Sequence, residues 1–124
     1  MIEAPDNIAW LVEAVGEDEA LAFIESVAGQ RLVIPRHASG SRLETLYGSE
    51  IARAVCDLFG GTLWEVPTVK SWRARCLARR GLTDNEIALR CGVNYRSVRR
   101  LLRHSERVER RRVVMRDDRQ QTLF

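Results

Sequence analysis

Lysine is almost missing from this 124-residue chain: of its 20 basic residues, only Lys70 is not an arginine. Histidine is scarce, at two residues, and the three cysteines, Cys56, Cys76 and Cys91, are an odd number without a Cys-x-x-Cys spacing. Neither His37 nor His104 lies at a spacing that would complete a zinc site with them. These absences argue against a metal centre or a disulfide framework and predict reduced thiols in a cytoplasmic protein without a cofactor. Long apolar runs are missing too. The longest uncharged stretch is too short to cross a bilayer, and no basic segment followed by an apolar core opens the chain as an export leader would. No membrane partner is expected.

What is present is 45% apolar and 30% charged, the composition of a soluble globular protein of one ordinary domain or two very small ones. The formal net charge of +3 hides an asymmetry. Residues 1–66 carry 11 acidic side chains against 4 basic ones, Arg31, Arg36, Arg42 and Arg53; residues 67–124 carry 16 basic against 6 acidic. Arginine's planar fork matches phosphate oxygens and guanine edges better than lysine's point charge. An acidic half followed by a basic, arginine-dominated half predicts a nucleic-acid-binding module attached to a body that avoids nucleic acid. A merely solvated charged surface does not require such an imbalance.

Residues 1–66 are built twice. "IAWLVEAVG" reads as a short helix with Asp6 or Asn7 as N-cap and Gly16 as its stop. "EDEALAFIESVAG" opens with acids that favour a helix N-terminus, sets Leu21, Ile24, Val27 and Ala28 on one face, and stops at Gly29. "RLVIP" follows as a strand closed by Pro35, which has no N–H to give to a ladder. The second copy runs "SRLETLYG", with Ser41 and Glu44 as a capping box, then "SEIARAVCDLFGG", with Ile51, Val55, Leu58 and Phe59 on one stripe. "TLWEVP", closed by Pro67, is the second strand. Gly29 and Gly61 stand 32 residues apart, as do Pro35 and Pro67. Two such copies bury a marginal core, and short strands leave edges that a second chain would cover. A homodimer through residues 1–66 is therefore expected; the alternative is a small monomeric α+β body.

The basic half reads differently. "TVKSWRARCLARRG" is a helix capped by Thr68, with Val69, Trp72, Cys76 and Leu77 facing a core and Gly81 ending it. In "TDNEIALRCGVNYRSVRRLLR", Thr83 and Glu86 form a second capping box, and Ile87 and Ala88 face inward. Gly92 supplies a turn that needs positive φ, and Val93, Val98 and Leu101 return to the core. Small residue, glycine, β-branched residue and leucine at these offsets describe a helix-turn-helix. Its second helix would enter the major groove by its N-terminal turn. Asn94, Tyr95, Arg96, Arg99 and Arg100 point away from the core face and are the candidate base contacts; Asn94 fits an N-cap equally well. Lys70, Arg73, Arg79, Arg80, Thr83, Ser97 and Arg103 are the candidate phosphate contacts.

The fold expected is thus mainly α with short β-strands. An N-terminal α+β dimerisation domain, residues 1–66, precedes a helix-turn-helix domain, residues 67–104, and a basic, mobile tail, residues 105–124. The stretches "VAGQRLVIPR", "LFGGTLWEVP" and "LTDNEIALRCGVNYRSVRRLLR" together resemble the Mor/C family of phage and prophage transcription activators, over residues 8–104. That resemblance implies a dimer that binds an inverted-repeat promoter element on double-stranded DNA and recruits RNA polymerase. It also implies that the strand linking the domains approaches DNA, where Leu63 and Glu65 offer little and Arg31 and Arg36 are better suited. The last residues, "QQTLF", resemble peptides that dock on bacterial sliding clamps through Gln120, Leu123 and Phe124.

Other readings are a repressor with the same DNA-binding mode and an accessory DNA-binding protein of a recombination or replication system. A further one is an interaction protein whose acidic half recruits a partner while DNA is incidental. An enzymatic reading finds little support. The helix-turn-helix also resembles the DNA-binding end of serine recombinases. Those need a nucleophilic serine in an arginine-rich catalytic domain, whereas residues 1–66 hold Ser26, Ser39, Ser41 and Ser49 with only 4 arginines.

Overall fold

The computed structural model describes residues 2–103. Among the described residues the chain is mainly helical with one small antiparallel sheet of two strands, and it divides into two compact units after Val69. The tail, His104 and the clamp-like residues Gln120, Leu123 and Phe124 lie outside the described residues. Among the described residues no helix is long and apolar enough to cross a membrane.

The first unit runs α1 (Asp6–Val15), α2 (Glu17–Val27), β1 (Arg31–Val33), α3 (Arg42–Tyr47), α4 (Ser49–Phe59) and β2 (Leu63–Glu65). The repeat read in the sequence is also a symmetry. β1 and β2 pair antiparallel with Leu32 opposite Trp64, and Trp64 is the residue that the 32-residue period makes equivalent to Leu32. When a residue pairs with its own equivalent, a local two-fold axis passes through that pair. The hydrogen bonds obey it. Gly29 N donates to Val66 O and Gly61 N to Ile34 O, both at 2.9 Å; Val66 N donates to Gln30 O and Ile34 N to Thr62 O, both at 2.9 Å. Backbone angles agree as well. Gly16 and Gly48, which precede α2 and α4, have φ of 90° and 94° with ψ of 163° in both, and Gly29 and Gly61 have φ of 79° and 80°. The left-handed φ at Gly29 and Gly61 turns each helix back onto its strand, a conformation that glycine adopts without strain.

β1 and β2 thus pair with each other along one edge each, and the outer edge of each strand has no partner strand among the described residues.

Across this axis the side chains are not equivalent. Trp10 packs edge-on against Phe59 and Trp64, each at 5.7 Å between ring centroids, and Phe59 stacks on Trp64 at 4.9 Å. The counterparts 32 residues away are Arg42, Val27 and Leu32, which supply no ring. A groove of about 700 Å³ stays open on that side, lined by Val27, Leu32, Val33, Arg42, Leu46 and Tyr47 among others. Ile8, Leu11, Leu21, Phe23, Ile24 and Val55 fill the core between the helices.

Several local expectations are corrected. α1 begins at Asp6 with Pro5 as N-cap, since the fixed proline φ, here −62°, sets the chain for the helix. Ser41 accepts from Glu44 N at 3.1 Å, but the Glu44 carboxylate reaches back to Gly40 N, one residue before the box partner. Leu58 leaves the α4 stripe at 56% exposure, while Ala52 joins Ile51 and Val55 in the core. Cys56 is a free, half-buried thiol whose pKa is pushed up by burial and then by the charge of Asp57.

Candidate nucleic-acid interface

The second unit contains α5 (Lys70–Arg79), α6 (Asp84–Cys91) and a further helix, α7, over residues 95–103. α5 begins at Lys70, one residue after Val69, which is half-buried with φ of 39°. α6 has both halves of the expected capping box. Thr83 Oγ1 accepts from Glu86 N at 3.2 Å, and Glu86 Oε1 accepts from Thr83 N at 3.0 Å. The Thr83 hydroxyl also donates to Glu86 Oε1 at 2.9 Å. These backbone and side-chain hydrogen bonds hold the Glu86 carboxyl below the ordinary glutamate range. At the other end Gly92, φ 69° and ψ 38°, closes α6 by donating toward Ala88 O and Leu89 O. A Cβ here would have open space around it, so it is the left-handed φ itself, rarely adopted by L side chains, that favours glycine.

Trp72, Ala74, Cys76 and Leu77 of α5, Ile87, Ala88 and Cys91 of α6 and Val98 of α7 are buried together in this unit. Ala88 is buried on α6, and Leu101 of α7 is half-buried. Val98 thus fixes the rotation of α7: with its side chain inward, the opposite face turns to solvent. Tyr95, Arg96, Arg99, Arg100 and Arg103 are all exposed on that face. At 3.6 residues per turn they occupy an arc of about 140°. Four of the five are arginines. Asn94 is exposed just ahead of α7, in the N-cap position, and its carbonyl accepts from Ser97 N at 2.9 Å.

Of the residues expected to meet phosphate, the structure separates two from the rest. Arg73 is buried, at 5% exposure, and its Nη2 donates to the carbonyl of Arg90 at 2.7 Å. It ties α5 to the C-terminal turn of α6, where carbonyls lack helical partners, and cannot reach a DNA backbone from there. Thr83 is exposed, but its hydroxyl is engaged in the cap. Lys70 and Ser97 are half-buried, and Arg79, Arg80 and Arg103 are exposed.

Sequence reasoning missed Asp84. The first residue of α6, it accepts from Arg99 Nε through Oδ2 at 3.3 Å, an exposed ion pair across the turn. Asp84 and Arg99 lie 15 residues apart on different helices, so neither helical periodicity nor cap signals could reveal the pair. Leu89, 83% exposed on α6, is the other surface feature that helical patterning did not anticipate. The chemistry on offer is that of a surface with planar, multiply donating cations, of which Arg99 is held by Asp84. No family model, curated protein or solved structure matches the chain.

Proposed function

We propose that this protein is a sequence-specific regulator of transcription that binds double-stranded DNA through a helix-turn-helix formed by α6, the Gly92 turn and α7. One observation carries the reading: burial of Val98 turns Tyr95, Arg96, Arg99 and Arg100 together onto one solvent-facing arc of α7. An α-helix with such an arc fits the major groove, where arginine can bond guanine O6 and N7 bidentately. The basic balance of residues 67–124 supplies the phosphate attraction that brings the helix there. Lys70, Arg79, Arg80, Ser97 and Arg103 are proposed to meet the backbone.

The resemblance to the Mor/C activators supports activation, with two copies on an inverted repeat and RNA polymerase as partner. Since β1 and β2 already pair within the chain, a second copy would attach elsewhere. The outer edge of β1, where Val33 remains 81% exposed beside the open groove, is the natural place. A promoter–reporter assay tests the regulatory sense. Expression is expected to rise with the wild-type chain and to stay at background with Arg96, Arg99 and Arg100 all changed to alanine. Repression by the wild type would reverse the sense, and an unchanged response to the triple substitution would remove α7 from the mechanism.

A further inference from the structure

We infer that Asp84 is a positioning residue for base recognition: it holds the Arg99 side chain so that the terminal fork of its guanidinium faces a guanine. The inference rests on the proposal that α7 reads DNA. Its basis is which nitrogen is used. Asp84 Oδ2 accepts from Arg99 Nε at 3.3 Å. The two terminal nitrogens, Nη1 and Nη2, are the pair that meets guanine O6 and N7 end-on. A carboxylate at Nε restricts the side chain's torsions without consuming that pair. An unheld arginine loses more rotamer freedom when it binds, so the pair pre-orders the contact and lowers its entropic cost.

Asp84 itself is well placed for this. It is the first residue of α6, next to the Thr83–Glu86 capping box, which fixes the backbone that carries it. Its charge at a helix N-terminus is favourable in its own right, so the residue does not depend on Arg99 for its place. The same charge has a second effect. A carboxylate beside the reader helix repels phosphate, which weakens attachment to arbitrary DNA and leaves base contacts to decide where the protein stays. Asp84 is thus assigned two coupled effects, sharper choice at one base pair and weaker binding everywhere else.

A double-mutant cycle on the full chain separates this from a structural role. The probes are a duplex bearing the sequence that the wild-type chain selects from a random pool, variants of it at each base pair, and a scrambled duplex. Arg99→Ala identifies its base pair as the one where preference falls about tenfold or more, the loss expected of a bidentate contact. Asp84→Ala is expected to cut preference at that same base pair about threefold, the scale of an exposed ion pair. It should also raise affinity for the scrambled duplex. In the Arg99→Ala background, Asp84→Ala should change preference no further. Asp84→Asn, which keeps the side chain's size and its place at the helix start, guards against misfolding and should behave like Asp84→Ala. An equal loss of preference at every base pair, or the same loss of preference from Asp84→Ala with and without Arg99, would overturn the inference while leaving DNA reading intact. Failure of the wild-type chain to select any sequence would remove the reading itself, and the inference with it.

Discussion

At the scale of single residues, the basic half shows how arginines of one sequence segment take different work. Arg73 lies on α5 among the other arginines, yet its guanidinium is buried against the Arg90 carbonyl. Arg96 and Arg100 stand in solvent on α7. Replacing Arg96 or Arg100 with alanine is expected to cost about 1–3 kcal/mol of discrimination at one base pair each, with little change in thermal stability. Arg73→Ala should do the reverse: lower stability by about 1–3 kcal/mol by removing a buried side chain and its bond to the Arg90 carbonyl, as circular dichroism melting would report. Periodicity alone could not distinguish them, because the demand for a buried donor arises from the end of a different helix. Glu86 permits a prediction about pH. Its carboxyl is held below the ordinary value by Thr83, so its contribution to stability is present above that value and is lost as pH falls through the lowered one. The melting temperature of the wild type should therefore drop more steeply below about pH 4.5 than that of Glu86→Gln; parallel curves would contradict the assignment.

At the scale of elements, what could be read from the sequence was what punctuation marks. Gly29, Gly61, Pro35 and Pro67 announced two copies of one helix–strand unit, and α2 and α4 have the same length and the same offset. The Thr83–Glu86 box and Gly92 likewise bounded α6 as expected. The partner of each strand was not legible. A short strand records that it needs a neighbour, and nothing in its own residues says whether that neighbour is in the same chain. The structure supplies the answer: Leu32 and Trp64, equivalent by the 32-residue period, are also ladder partners. Loss of the tripled aromatic contact on one side of the axis, where Arg42 stands as the equivalent of Trp10, is a tertiary consequence that no local pattern carries. The symmetry makes a quantitative prediction. Gly29 and Gly61 share the same left-handed φ and have no backbone atom within close reach of a Cβ. Gly29→Ala and Gly61→Ala should each destabilise by about 1 kcal/mol and by similar amounts. Denaturant midpoints that shift for one variant and not the other would show that the two turns are not equivalent.

For the whole molecule, the distribution of charge is the feature that links fold to function. The division into units after Val69 falls almost where the balance changes sign, so the acidic repeat body and the basic helical unit are separate compact bodies as well as separate stretches of sequence. On the proposed function, a body that repels phosphate, joined to one that attracts it, would direct DNA to α7 and away from the repeat. The central claim is that this attraction is accompanied by reading, and the most direct measurement is selection of bound duplexes from a random DNA pool by the purified full chain at two salt concentrations. Phosphate contacts weaken steeply and uniformly as salt rises, whereas base contacts leave a preferred sequence. The account predicts a guanine-containing motif that persists at the higher salt and disappears when Arg96, Arg99 and Arg100 are replaced, with an inverted repeat if two copies bind together. A pool that loses affinity with salt and never enriches a sequence would contradict it.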